Sequence, residues 1–140
     1  MKKTRTPVVL LVEDNPDHAT FIIKALKHGE PVTDVLWAKD GEEGLDLLAN
    51  TAPPPDLILL DIHLPKLNGH DVLRRIKTDA AMGSIPVVML TTSNREEDVT
   101  SCYDGGANSY VIKPDAFSAL IATLVSVKEY WLRTDQRAVA

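Results

Sequence analysis

The chain has a single cysteine, Cys102, no run of basic residues, and no apolar stretch long enough to span a bilayer. One cysteine excludes an intramolecular disulfide. The missing apolar stretch argues against a membrane span. A net charge of -5, with acidic and basic residues interleaved, argues against nucleic-acid binding by phosphate neutralisation. The opening residues, Met1 to Pro7, lead only into a short apolar run that ends at Glu13, which is no signal-peptide pattern, so the expected location is cytoplasmic. Aromatics are scarce and aliphatics plentiful, a balance that suits α/β packing better than a small β barrel. A length of 140 residues suits one domain, expected over residues 7–133, with 1–6 and 134–140 as flexible ends.

The stretch that organises the rest is Leu57-Ile58-Leu59-Leu60-Asp61. An all-aliphatic run that stops at a carboxylate reads as a strand buried on both faces, with its last side chain at the carboxyl edge of a sheet. Val8 to Val12 repeats the pattern and ends in Glu13 and Asp14, and Val87 to Leu90 repeats it again, ending in Thr91-Thr92-Ser93. Asn15 with Pro16 is sufficient to start the next helix, so capping does not account for both Glu13 and Asp14.

Between these runs lie helical stripes: Ala19, Ile22, Ile23 and Leu26; Gly41, Gly44, Leu45 and Leu48 after the cap Asp40; and Gly69, Val72, Leu73 and Ile76 after Asn68. Pro53 to Pro55 reads as a rigid, exposed loop. The helix near Arg95 to Asp104 offers chiefly Val99, Cys102 and Tyr103 to a core, and the last helix offers Phe117, Leu120, Ile121, Leu124 and Val125. Val32 to Ala38 and Ser109 to Ile112 are mixed and read as edge strands. Strands alternating with helices predict a doubly wound parallel sheet, and apolar central strands with mixed edges suit the order 2-1-3-4-5. The crevice of that order opens between the first and third strands, where Glu13, Asp14 and Asp61 converge. Thr91 and Lys113 arrive there from the strands beyond.

Clustered carboxylates repel one another unless a proton or cation intervenes. Hard oxygen donors without a His or Cys cluster suit Mg2+. Lys113 supplies an ammonium and Thr91 a hydroxyl, which together with the metal suit a phosphoryl group. A carboxylate can itself attack phosphorus. Asp61, the central strand-end acid, is the expected nucleophile, with Glu13 and Asp14 left to hold the metal.

The order and spacing of Glu13-Asp14, Asp61-x-x-x-Pro65-x-x-x-Gly69, Pro86 with the apolar strand to Thr91, and Lys113-Pro114 resemble the receiver domain of two-component response regulators, over residues 7 to about 127. The resemblance implies a phosphoacceptor signalling protein, not an enzyme. Asp61 would take its phosphoryl group from a sensor histidine kinase or a phosphotransfer protein. It implies Mg2+ on Asp14, Asp61 and the backbone carbonyl of His63, with Glu13 acting through water and Lys113 contacting Asp61 and then the phosphate. Thr91 would swing toward the phosphate as Tyr110, at the aromatic switch position, turns inward. It also implies a cis peptide before Pro114. Simpler readings stand beside these: Lys113 as a solvated lysine, Tyr110 as an edge-strand aromatic, and the His63 side chain as a cleft-mouth residue.

The closing Glu129-Tyr130-Trp131-Leu132 resembles the stand-alone regulators paired with bacterial and cyanobacterial phytochromes. That narrower resemblance implies a phytochrome-type kinase as donor. On a helix that has outrun its sheet, Tyr130, Trp131 and Leu132 would be anchors of a homodimer or partner interface; the competing reading folds this end back on its own core. After Arg133 too little chain remains for a separate output domain, so output is expected by protein contact. Three other functions compete. An Mg2+-dependent phosphohydrolase wants a second acid where His63 stands. A flavodoxin-like cofactor binder wants a phosphate cradle where Glu13-Asp14-Asn15-Pro16 stands. A receiver kept only for interaction would never be phosphorylated.

Overall fold

The structure, a computed structural model, describes residues 5–132. Five strands, β1 (Val8–Val12), β2 (Asp34–Ala38), β3 (Leu57–Leu60), β4 (Val87–Thr91) and β5 (Ser109–Ile112), form one sheet in the order β2-β1-β3-β4-β5. All neighbours are parallel. Between and after them come α1 (Pro16–Leu26), α2 (Gly41–Asn50), α3 (Gly69–Thr78), α4 (Glu96–Asp104) and α5 (Phe117–Trp131). The three apolar strands are central, as expected, because only a strand covered on both faces gains by being apolar on both.

Successive residues of those strands feed opposite cores. Leu10, Val12, Ile58, Leu60, Val87 and Met89 pack with Val72, Leu73, Ile76 and Cys102 on the face of α2, α3 and α4. Val9, Leu11, Leu57, Leu59, Val88 and Leu90 pack with Ala19, Ile22, Leu26, Leu120, Leu124 and Val127 on the face of α1 and α5. At roughly 25 cal/mol per Å² of apolar surface, these buried side chains dominate the drive to fold.

Local signals are read out at the helix starts. The Asn15 side chain accepts from Asp17 N (2.9 Å) and His18 N (3.1 Å), with Pro16 at the first helical position, so capping leaves Glu13 and Asp14 free for other work. Asp40 accepts from Glu43 N at 2.8 Å, while the Glu43 carboxylate reaches back to Lys39 N at 3.2 Å. This is a capping box displaced by one residue.

Several expectations are corrected. Tyr103 and Phe117 are 49% and 40% exposed and leave the core; α4 buries only Cys102 fully, and the buried stripe of α5 starts a turn later, at Leu120, Leu124, Val127 and Lys128. β2 begins at Asp34, Val32 being exposed. Pro55 is buried rather than exposed. The cis peptides precede Pro31 and Pro53, not Pro114; Lys113 is aimed instead by its amide, which donates to Thr91 O at 2.8 Å, and by its side-chain ion pairs. Arg5, expected in a flexible end, makes a two-pronged pair with Asp56 at 2.7 and 2.8 Å. Leu132 is wholly buried against the α1–α5 core, so it is withdrawn as an interface residue: the end of α5 turns its apolar side inward. The rest of the two expected flexible ends, residues 1–4 and 134–140, lies outside the described residues. Among those described, no helix is long and apolar enough to cross a membrane.

Lys128 is the unexpected core residue. It is fully buried, and its Nζ donates to Leu26 O (2.7 Å), His28 O (2.8 Å) and Gly29 O (3.3 Å). These carbonyls lie at and just beyond the end of α1, where a helix has no backbone donors left for them. The ammonium thus caps one helix from within another.

Candidate functional site

β1 and β3 are in register, Val12 opposite Leu60, so the next residues, Glu13 and Asp61, emerge level with each other. Asp61 N donates to Val12 O at 3.1 Å and Glu13 N to Ala38 O at 3.0 Å, which carries the sheet ladder up to the acids. Trp37 on β2 adds an indole N–H donated to Glu13 O at 2.8 Å. On the far side, Gly69 N donates to Ile62 O at 2.9 Å. A Cβ at Gly69 would collide with the Asp61 carbonyl oxygen and Ile62 Cα, so the glycine lets α3 start directly beside the Asp61 backbone.

The side chains then converge. Lys113 Nζ lies 2.5 Å from Glu13 Oε1 and 2.9 Å from Asp61 Oδ2, with Glu13 only 1% and Asp61 6% exposed. His63 N donates to Asp61 Oδ1 at 3.3 Å, and the Thr91 hydroxyl faces the Asp61 carboxylate and helps hold its negative charge. Burial is the largest single influence on the Asp61 carboxyl and works to raise it, but the Lys113 charge, the Lys113 bond and the contacts from Thr91 and His63 together outweigh it and hold the carboxyl below its ordinary value. Glu13 goes the other way: burial pushes it up to about 7 against the pull of Lys113. The two carboxyls therefore differ in character, with Asp61 the one kept ionised.

Asp14 is exposed, and its carboxylate closes the cluster: one oxygen each from Glu13, Asp14 and Asp61 lie within 4.8 Å of one another. Three carboxyl groups gather at the single Lys113 ammonium, so the cluster carries acid in excess of its cation. Hard oxygen donors with that excess, one of them facing solvent, fit Mg2+ or a similar hard divalent cation. The His63 side chain is exposed, which fits its reading as a cleft-mouth residue.

Thr91 is fully buried at the end of β4, where its hydroxyl faces Asp61 and its Oγ1 accepts from Ser93 N at 3.4 Å. Tyr110 is half-buried, packed against the α2–α4 core, and donates its hydroxyl to Ser93 O at 2.8 Å. The structure thus brings together every residue expected in the crevice. Tyr130, 63% exposed, and half-buried Trp131 lie on the end of α5, in the other group.

Some participants escaped the sequence reading. His18 Nδ1 lies 3.0 Å from Lys113 Nζ. Its spacing to Ile22 and Ala25, four and seven residues on, was a legible sign that it faces the sheet. Ser93 Oγ donates to Asp98 Oδ2 at 2.5 Å, and Asp98 Oδ1 lies 3.2 Å from His70 Nε2, which ties the loop after β4 to α3. Nothing in the local pattern marks that link.

A family model for the response regulator receiver domain matches residues 9–125. Among curated proteins, the chain is 41% identical to the probable methanogenesis regulatory protein FilR2 of Methanothrix harundinacea over 129 residues, covering 89% of this chain and 83% of that one. It is 34% identical to the response regulator Rcp1 of Synechocystis over 132 residues, covering 91% and 90%. Among solved structures, the phosphorylated cyanobacterial phytochrome response regulator RcpA superposes with a TM-score of 0.86 at 38% identity, covering 93% of this chain and 96% of that one. The Mn2+-bound form of Rcp1 superposes at 0.82 and 34% identity, covering 91% and 96%.

Proposed function

This chain belongs to the response regulator receiver family, and on that premise we propose that it accepts a phosphoryl group on Asp61 from a histidine kinase or a histidine-containing phosphotransfer protein. The observation that carries the reading is the Lys113 ammonium 2.9 Å from Asp61 Oδ2, within the cluster that Asp61 forms with Glu13 and Asp14. In the transfer an Asp61 oxygen attacks phosphorus, the O–P bond forms, the P–N bond of the phosphohistidine breaks, and imidazole leaves with the bonding pair and takes a proton. Lys113 faces the charge on the transferring oxygens and Thr91 donates to one of them. Asp14, Asp61 and the His63 carbonyl would hold Mg2+, with Glu13 acting through water. When bound, the cation supplies divalent charge that stabilises the phosphoryl oxygens.

The donor we propose is a phytochrome-type kinase, supported by the likeness to RcpA, a phytochrome response regulator. Output runs through protein contact. For a second copy of the chain, exposed Tyr130, whose ring centroid lies 4.7 Å from that of Trp131, is the proposed anchor. With Leu132 and Lys128 inside the core, deleting the end of α5 would damage the fold, so a point change is the clean test. Tyr130→Ser should lower the solution mass of a dimer at fixed concentration with the melting temperature kept; an unchanged mass would remove Tyr130 from the interface.

Incubating the protein with acetyl phosphate tests the central reading. We expect an Mg2+-dependent gain of one phosphoryl mass that hydroxylamine removes, as it does from acyl phosphates. No adduct under conditions that label another receiver, together with no change in solution behaviour on adding beryllofluoride, would instead leave a receiver fold used for interaction alone.

A further inference from the structure

We propose that His18 is a positioning residue for this transfer: its Nδ1 accepts from Lys113 Nζ and holds the ammonium over Asp61. The proposal rests on Asp61 being the phosphoacceptor. A lysine ammonium has three protons, and here it has three acceptors, Glu13 Oε1 at 2.5 Å, Asp61 Oδ2 at 2.9 Å and His18 Nδ1 at 3.0 Å. They come from the end of β1, the end of β3 and the first turn of α1, so the ammonium sits on a tripod. The ammonium can only donate, so Nδ1 is the acceptor and the ring proton is on Nε2.

The three legs are not equivalent. Glu13 and Asp61 belong to the acid cluster that suits a cation, and Asp61 itself changes chemically in the reaction. His18 is the leg outside that cluster, so it is the one that keeps its hold while the others exchange partners. It is also well founded: Asn15 and Pro16 set the first turn, and the next turns are anchored by buried Ile22 and Ala25. Together with Lys113, Phe21, Thr92 and Phe117, His18 lines a cavity of about 260 Å³. The contact therefore stands in the wall of an opening that leads to Lys113. His18 acts through Lys113, so it positions rather than reacts.

The test compares wild type, His18→Phe, which keeps a ring without an acceptor, and His18→Gln, which restores one. Each is labelled with acetyl phosphate at saturating Mg2+, with the maximal rate, its dependence on donor concentration, Mg2+ affinity from tryptophan fluorescence and the melting temperature recorded. Loss of one hydrogen bond to a charged group predicts a fall of about tenfold in maximal rate for His18→Phe. Mg2+ affinity and melting temperature should be unchanged, and His18→Gln should recover most of the rate. A His18→Phe rate close to wild type, a loss that follows the melting temperature, or a His18→Gln rate as slow as that of His18→Phe would overturn the proposal while wild-type labelling upheld the phosphoacceptor. Absence of wild-type labelling would overturn both.

Discussion

Asp61→Asn is expected to abolish the hydroxylamine-labile adduct, leaving no phosphoryl mass at times when the wild-type chain is fully labelled. An amide of the same shape has no carboxylate oxygen to attack phosphorus, so no rearrangement of neighbours can restore the reaction. The variant also probes the hydrogen bonds. Asp61 uses one oxygen for His63 N and the other for Lys113 Nζ, whereas asparagine has only one oxygen and must turn its NH2 toward a donor. That mismatch should cost about 1–3 kcal/mol. Lys113 keeps Glu13 and His18, so the domain should still fold, and thermal melting is the control. Labelling of the variant at the wild-type rate would move the acceptor to another acid and sink the assignment.

Lys128→Met is expected to destabilise the protein by about 1–3 kcal/mol, a sizeable share of the ~5–15 kcal/mol that holds a typical domain together. Methionine fills much of the same volume but donates nothing. The Leu26 carbonyl, in a fully buried residue, would keep only the longer bond from the Thr33 hydroxyl at 3.4 Å, while those of exposed His28 and Gly29 could turn to water. Burial pushes the Lys128 ammonium's pKa down, which says that the charge is itself costly there, so relief of that cost offsets part of the loss. Equilibrium urea unfolding at neutral pH measures the difference. A Met variant as stable as wild type would mean that the ammonium's desolvation cancels its capping bonds.

The core residues of the last helix show why some expectations failed. The pattern over Phe117 to Val125 gave the correct periodicity but started it a turn too early, since nothing in the sequence says how far α5 extends past the sheet edge. Phe117 instead meets the ring of Phe21, centroids 5.8 Å apart, at the rim. The same reading took Tyr130, Trp131 and Leu132 as one exposed set, yet helix rotation sends Leu132 inward and Tyr130 outward. For the site the outcome is more favourable. Glu13, Asp14, Asp61, Thr91 and Lys113 each stand at the end of an apolar or edge strand, and parallel strands deliver their carboxyl ends to one edge.

By itself, then, the sequence determined the strand identities, their central or edge positions, the crevice and the acids in it, because burial on two faces and helix capping are local chemistry written over a few neighbouring residues. Only the tertiary structure decided which partners those groups take. Lys113 meets Glu13 across 100 residues of chain, and Lys128 meets Leu26 across 102. Such bonds depend on where rigid elements lie relative to one another, to within a fraction of an ångström, and no local pattern carries that distance. His18 stands between the two cases: its helical face was legible, and its hold on Lys113 was not.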